Sequence, residues 1–278
     1  MTDDMHRLPD AVRAKTMSTD ELRAAFLVRG LFQRGRVIVR HVDLDRVVFG
    51  GAVPMDTPLT LEPPASIKSE FFTQRRELGL LNIGARGSVT VDGDRHAVDY
   101  RDALYVGRGT KRIMFASDDA AHPARFYLVS YPAQVVCPTA RIAADRIEVT
   151  ELGAVERANR RRLAKYIYEG GVASAQLVMG VTELVAGSVW NTMPAHTHYR
   201  RTEVYLYFGI PEDALVVHLM GEPSETRHLV VRDGDVVLSP TWSVHAGCGT
   251  SSYSFCWAMG GENRDYTDMQ PVDMKELR

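Results

Sequence analysis

The sequence is poor in cysteine: three residues (Cys137, Cys248 and Cys256), scattered and without a C-x-x-C pair. That excludes a disulfide scaffold and a cysteine zinc knuckle. It also lacks an excess of charge of one sign. Lys and Arg number 33 against 35 Asp and Glu, a formal net charge of −2, so there is no electrostatic footprint for DNA, RNA or an anionic membrane. No apolar run approaches the roughly 20 residues that cross a bilayer. The opening MTDDMHRLPD has neither the basic nor the apolar stretch of a secretory signal. Apolar residues are not lacking: 45% hydrophobic against 24% charged is an ordinary globular balance that excludes global disorder. The expectation is a soluble, cytoplasmic, globular protein, its 278 residues enough for two ordinary domains or one large β domain.

Helical patterning is scarce. Ser18 and Thr19 followed by Asp20, Glu21 and Leu22 make a capping-box start, and Leu22, Ala25, Phe26 and Arg29 continue at helical spacing to a stop at Gly30. Residues Glu156 to Tyr168 (ERANRRRLAKYIY) also read as a helix, ending at Gly170 and Gly171. Its Arg160, Arg161, Arg162 and Lys165 are candidates to touch an acidic ligand, against the plainer reading of a solvated basic face. The remainder is strand-like: VIVRHV, SVTVDG, ALYVG, RFYLVSY, EVYLYFG, ALVVHLM and SYSFCWAM recur between Gly, Pro and Asp, as in sandwiches and barrels. Arg101–Ser117 (RDALYVGRGTKRIMFAS) echoes the segment from Gly234 (GDVVLSPTWSVHAGCGT), which suggests two similar β domains. The expected organisation is an N-terminal helical segment at 1–35, a β domain at 36–150, a helical connector at 151–172 and a second β domain at 173–278.

The chemistry concentrates in PAHTHYRRTEVYLYFG, residues 194–209. His196 and His198 lie two apart, so on a strand both imidazoles leave one face. After a polar turn at Tyr199–Thr202, Glu203 opens the next strand and points back at them, and His245 follows a Pro-containing turn. Three imidazoles and one carboxylate suit Zn²⁺, Fe²⁺, Mn²⁺ or Ni²⁺ and leave positions open for substrate. His218 and His228 read as structural histidines.

This H-x-H, Glu and later Gly–Pro–His pattern resembles the paired motifs of the cupin superfamily. GSVWNTMPAHTHYRRTEVYLYF, MGEPSETRH, SPTWSVHAGCGT and MGGENRDYTDM, with RRELGLLNIG and LYVGRGTKRIMFASDDAAHPARFYL in the first half, resemble the 5-keto-4-deoxyuronate isomerase family over nearly the whole chain. The resemblance implies a mainly β protein of two cupin-type β-sandwich or barrel domains with a few peripheral helices. It further implies a homohexamer and one Zn²⁺ per subunit on His196, His198, Glu203 and His245. In an overlay of the echoing blocks Arg112 stands where His245 does, and no H-x-H precedes Glu77, so the first domain is expected to be metal-free.

The implied reaction is the ketol isomerisation of a 4-deoxy-5-keto sugar acid from pectin or uronate breakdown. Such a proton shift needs an acid or base beyond the metal ligands. Tyr207, on the face shared by Glu203 and Tyr205, is the first candidate and Lys165 the second; packing competes for either ring. Arg201 and Arg227 are the candidates for the substrate carboxylate, whose geometry a guanidinium matches. The alternatives are another cupin sugar isomerase of the 5-deoxy-glucuronate type, an Fe²⁺ dioxygenase on the same ligands, and a non-catalytic sugar-binding cupin.

Overall fold

In a computed structural model, which describes residues 5–278, strands dominate, and antiparallel ladders build sheets in both halves. The chain divides into two units. One contains residues 30–147 and 166–178 with the stretch ending at His6; the other contains 7–29, 148–165 and 179–278. Residues 1–4 of the expected N-terminal segment lie outside the described part of the chain. No described helix is long and apolar enough to cross a membrane.

The first unit has a six-stranded sheet in the order 140–142, 103–106, 76–82, 126–132, 48–53, 36–41, and a four-stranded sheet in the order 59–60, 113–117, 87–91, 94–98. Period-two alternation sends Leu78, Leu80, Leu104, Val106, Phe126 and Leu128 from one sheet against Val89, Val91, Ile113 and Phe115 from the other. The core is apolar. Its buried carboxylate, Glu77, points elsewhere. One oxygen accepts from Tyr105 Oη at 2.7 Å and the Ala175 amide at 2.6 Å, the other from the Gln176 and Leu177 amides at 2.8 Å each.

The second unit has a seven-stranded sheet ordered 27–28, 236–239, 201–208, 254–261, 178–184, 161–167, 149–152, and a four-stranded sheet ordered 190–191, 246–249, 216–222, 225–231. A short ribbon pairs His196–Thr197 with Gln270–Pro271. Its interior holds a row of rings: Tyr205, Tyr207, His218, Tyr253 and Phe255 have centroids 5.4–6.4 Å from their neighbours. Gly180 makes room for that packing, because a Cβ there would stand 2.1 Å from Trp257 Cζ2 and 2.5 Å from the Ala164 carbonyl.

The N-terminal helices belong to this second unit. The Ser18–Glu21 capping box is formed in both directions, and the helix runs Thr19–Phe26. It stops four residues before Gly30 because Leu27–Val28 turns extended and pairs with Val236–Val237. Arg23 Nη1 then donates to the Val230 carbonyl at 3.0 Å, and Phe26 packs edge-on to Trp242.

The expected helix at 156–168, and with it the helical connector at 151–172, is not formed. Val155–Arg157 makes one 3-10 turn, and Arg161–Ile167 is a strand paired with Val149–Leu152. The same letters satisfy both periods. As a strand, the segment gains a ladder and buries Leu163, Tyr166 and Ile167, and tertiary pairing outweighs the high helix propensity of Arg, Ala and Lys, which is worth less than about 1 kcal/mol per residue.

Candidate metal centre

Strand Arg201–Phe208 is buried along its whole length. It is central in its sheet, pairing residue for residue with Ser254–Gly261 on one side and Val236–Ser239 on the other. Alternation aims Glu203, Tyr205 and Tyr207 to one face. The polar turn that precedes it is shorter than expected, since the strand already opens at Arg201. His196 sits on the short ribbon strand, His198 just beyond it, and His245 one residue ahead of strand Ala246–Gly249.

These elements bring four side chains together. Ligand atoms of His196, His198, Glu203 and His245 all lie within 4.8 Å of one another. His196 Nε2 is 3.1 Å from His198 Nε2 and 3.0 Å from His245 Nε2. A Glu203 oxygen, Oε2, is 3.3 and 3.2 Å from His198 and His245 Nε2. That Oε2 is buried and accepts no hydrogen bond among the described residues, an arrangement that leaves a carboxylate oxygen wanting a cation. Burial pushes His196 down to about 3 and His245 well below its ordinary value. The imidazoles of His196 and His245 are therefore neutral, with nitrogens free to donate to a metal. Metal–nitrogen bonds of about 2.0–2.1 Å put neighbouring ligands roughly 2.9 Å apart in an octahedron and 3.3 Å in a tetrahedron. These four spacings fall in that interval, so the residues fit a divalent ion.

The outer nitrogens are held as well. His198 Nδ1 lies 3.0 Å from the Asp268 carbonyl and His245 Nδ1 3.2 Å from Ser239 Oγ, partners that turn each Nε2 inward. The Asp268 segment is itself anchored. Arg200 grips its carboxylate with two nitrogens, Asn263 Nδ2 donates at 2.6 Å, and together these hold that carboxyl well below the usual range.

The cluster opens into a cavity of about 290 Å³, near the small end of ligand pockets and of a size for one small metabolite. His196, His198, Glu203, Tyr205, Thr182 and Arg161 give it polar groups; Leu152, Leu163, Phe255, Trp257, Met259 and Met269 give it apolar walls. Tyr205 bonds the Glu203 carboxylate and Thr192 through its hydroxyl, and burial first, then Glu203, raises its pKa well above the phenol value.

A family model described as KduI/IolB matches residues 26–276. The chain belongs to the KduI/IolB family. It is 50% identical to a 4-deoxy-L-threo-5-hexosulose-uronate ketol-isomerase of Caldicellulosiruptor bescii, over 95% of this chain and 96% of that protein. A protein of the same name from Kineococcus radiotolerans is 52% identical over 94% of this chain and 95% of its own. Among solved structures, an IolB-like protein of Salmonella typhimurium superposes with a TM-score of 0.72 at 16% identity, covering 89% of this chain and 97% of that one. Oxalate decarboxylase of Bacillus subtilis superposes at 0.57 and 11% identity, over 81% of this chain and 71% of that one. These two show the two-barrel cupin fold.

Of the residues singled out in this family member's sequence, the four ligand candidates converge, while Tyr207, Arg227, Arg201 and Lys165 do not line the cavity. Tyr207 lies deeper along the strand, fully buried, its Oη 2.7 Å from His218 Nδ1; two residues of rise carry it past the ligands, and Tyr205 occupies the wall instead. Arg227 is remote from the site. Its Nη1 donates to the Ala14 and Lys15 carbonyls and its Nη2 to Met17, which fastens the first helix, Ala11–Thr16. Arg201 is 1% exposed and buried beneath the wall, Nη2 donating to the Asp268 carbonyl at 2.7 Å. Lys165 stands behind the lining, its Nζ 5.3 Å from the centroid of Tyr266, whose ring faces the cavity. Arg161, Thr182, Trp257, Tyr266 and Met269 were not identified as cavity residues from sequence; for Arg161 the signal was present but read at the wrong period.

Proposed function

We propose that the protein is a metal-dependent ketol-isomerase that converts 4-deoxy-L-threo-5-hexosulose uronate to 3-deoxy-D-glycero-2,5-hexodiulosonate in uronate breakdown, with one Zn²⁺ per subunit. The observation that carries this reading is the convergence of His196, His198, Glu203 and His245 on a small cavity, in a chain about half identical, end to end, to proteins of that name. The working form is taken to be a cytoplasmic homohexamer that acts on a free sugar acid, without nucleic acid or membrane.

The chemistry is a proton shift between two adjacent carbons through an enediol, and its cost is the weak acidity of a proton next to a carbonyl. A divalent ion on the four ligands supplies Lewis-acid stabilisation of the developing negative charge, worth several kcal/mol of barrier, and no redox change is needed. The chain's own residues supply the setting. Trp257, Phe255, Met259 and Met269 wall the cavity with apolar surface, which excludes water and strengthens every charge interaction inside. Tyr205 keeps its proton at Oη at neutral pH, since burial and the adjacent Glu203 both disfavour the phenolate, and its hydroxyl fixes the orientation of the ligand carboxylate.

The test is turnover and elemental analysis on the same preparation. Wild type is expected to hold about one equivalent of a divalent ion and to isomerise the keto-uronate without consuming oxygen. His196→Ala should lose ion and turnover together while keeping its β-type circular dichroism. Turnover of 5-deoxy-glucuronate alone would transfer the protein to the other branch of its family; oxygen uptake coupled to turnover would make it a dioxygenase. Full activity after exhaustive chelation would end the metal-dependent reading.

A further inference from the structure

A substrate with a carboxylate needs a cation in the cavity, and neither Arg201 nor Arg227 lines it: Arg227 holds the first helix, and Arg201 is buried with Nη2 on the Asp268 carbonyl and with Nε and Nη1 unpartnered among the described residues. The strand that replaces the expected helix supplies another. Along Arg161–Ile167, alternate residues leave opposite faces. Arg162, with Arg160 just before the strand, goes outward to Glu151, at 3.8 and 2.7 Å. Arg161 and Leu163 go inward and line the cavity, as does Leu152, which sits opposite Arg161 in the ladder.

Arg161 differs from its neighbours in chemistry as well as direction. It is half-buried, and its Nη1 donates to the Asn159 carbonyl at 3.0 Å. Among the described residues it has no carboxylate partner, and it is the one Lys or Arg side chain that faces the cavity beside the ligand cluster. A guanidinium stays charged even where burial lowers its pKa, and its planar fork can take a carboxylate through two parallel hydrogen bonds.

Resting on the isomerase reading above, we propose that Arg161 is the group that receives the substrate carboxylate, so that it determines preference for acidic over neutral sugars. The ligand cluster at the other part of the cavity then faces the carbonyl end of the same molecule, which fixes which end of the sugar is presented for proton transfer.

The experiment compares wild type, Arg161→Gln, Arg161→Lys and Arg201→Gln by steady-state kinetics on the keto-uronate. Competitive inhibition by gluconate, an acid with no carbonyl to isomerise, and by neutral sorbitol is measured alongside, with metal content. For Arg161→Gln, KM and the gluconate inhibition constant should rise together, by roughly 10- to 100-fold, the loss expected of a charge-assisted pair. Its kcat should stay within about threefold, with metal content unchanged and the sorbitol constant unmoved. Arg161→Lys should fall between, because it keeps the charge and loses the fork. If Arg161→Gln leaves KM and the gluconate constant at wild-type values, or if Arg201→Gln reproduces the whole shift with its metal retained, the assignment is wrong. If wild type does not turn over the keto-uronate, the isomerase reading fails, and gluconate-over-sorbitol selectivity and its loss in Arg161→Gln still decide the role of Arg161.

Discussion

Glu77 offers the sharpest physical test in the first unit. Its side chain is fully buried, yet its two oxygens accept four hydrogen bonds, from Tyr105 Oη and the amides of Ala175, Gln176 and Leu177, at 2.6–2.8 Å. The carboxylate thus fixes one turn of backbone, 175–177, against strand Arg76–Asn82. Glu77→Gln keeps the shape and removes one acceptor. The cheaper orientation turns the new amide nitrogen toward Tyr105, whose hydroxyl can rotate to accept from it. The Ala175 N–H then has no acceptor, a loss of about 1–3 kcal/mol, and the bonds from Gln176 and Leu177 drop from charge-assisted to neutral, about 1 kcal/mol each. The expected destabilisation is roughly 3–5 kcal/mol, with Tyr105→Phe costing less, about 1–3 kcal/mol. Urea unfolding gives the global number, and hydrogen exchange at Ala175, Gln176 and Leu177 reads the same loss locally. A Glu77→Gln protein within about 1 kcal/mol of wild type, with those amides still protected, would show that the carboxylate does not hold this turn.

Two further outcomes follow from side chains whose roles the structure reassigns. Arg227→Met should lower stability by about 1–3 kcal/mol, from three partly exposed hydrogen bonds to helix-end carbonyls, and leave KM unchanged; a raised KM at unaltered stability would restore Arg227 to the substrate. His218 is held neutral by burial, its pKa pushed down to about 3, against roughly 6.5 in the unfolded chain. The unfolded state therefore binds the extra proton. This contribution is complete above pH 6.5, is lost as pH falls toward 3, and reaches a few kcal/mol at the limit. His218→Gln should accordingly show a shallower fall of stability across that window than wild type, measured by denaturant midpoints at successive pH values; parallel curves would refute it.

The four ligands were legible because metal chemistry restricts residue type and spacing together: an H-x-H on an extended segment and a carboxylate across a short turn leave few geometries. The echo between the halves was legible for a similar reason. Arg112 and His245 each stand one residue ahead of a strand, Ile113–Ser117 and Ala246–Gly249. Arg112 is exposed, and its amide donates to Asp92 at 2.7 Å. Residues 156–168 misled because Arg, Leu and Lys at 161, 163 and 165 alternate as well as they spiral, and only the partner strand Val149–Leu152 decides between the periods. Tyr207 and Arg227 misled because proximity in sequence to a ligand fixes neither depth along a strand nor the identity of a distant partner. The inward face of strand 201–208 is shared by Tyr205 and Tyr207; which of the two reaches open space depends on how far the cavity extends.

Why one barrel carries a candidate metal centre and the other, among the described residues, does not is a question of how each core is filled as much as of ligands. In the first unit Phe115 and Phe126 lie with centroids 5.4 Å apart, and with Leu104 and Leu128 they fill the space between the sheets. The open space of this unit, a cavity of about 620 Å³, is lined instead by residues 35–41 and 59–66 and holds no group of three or more metal-ligating side chains among the described residues. The second unit replaces aliphatic filling with rings that carry polar edges, and these need partners when buried. Tyr207 finds His218, Tyr253 finds Asn191 at 2.8 Å and Trp257 finds Thr182 at 3.2 Å. Rigid rings satisfied in pairs cannot collapse inward, so the space beside Glu203 stays open. Gly180 is part of the same device, since any side chain there would push Trp257 from the cavity wall. An active site in this fold therefore requires a core that stops short of filling its barrel, as well as the residues that ligate.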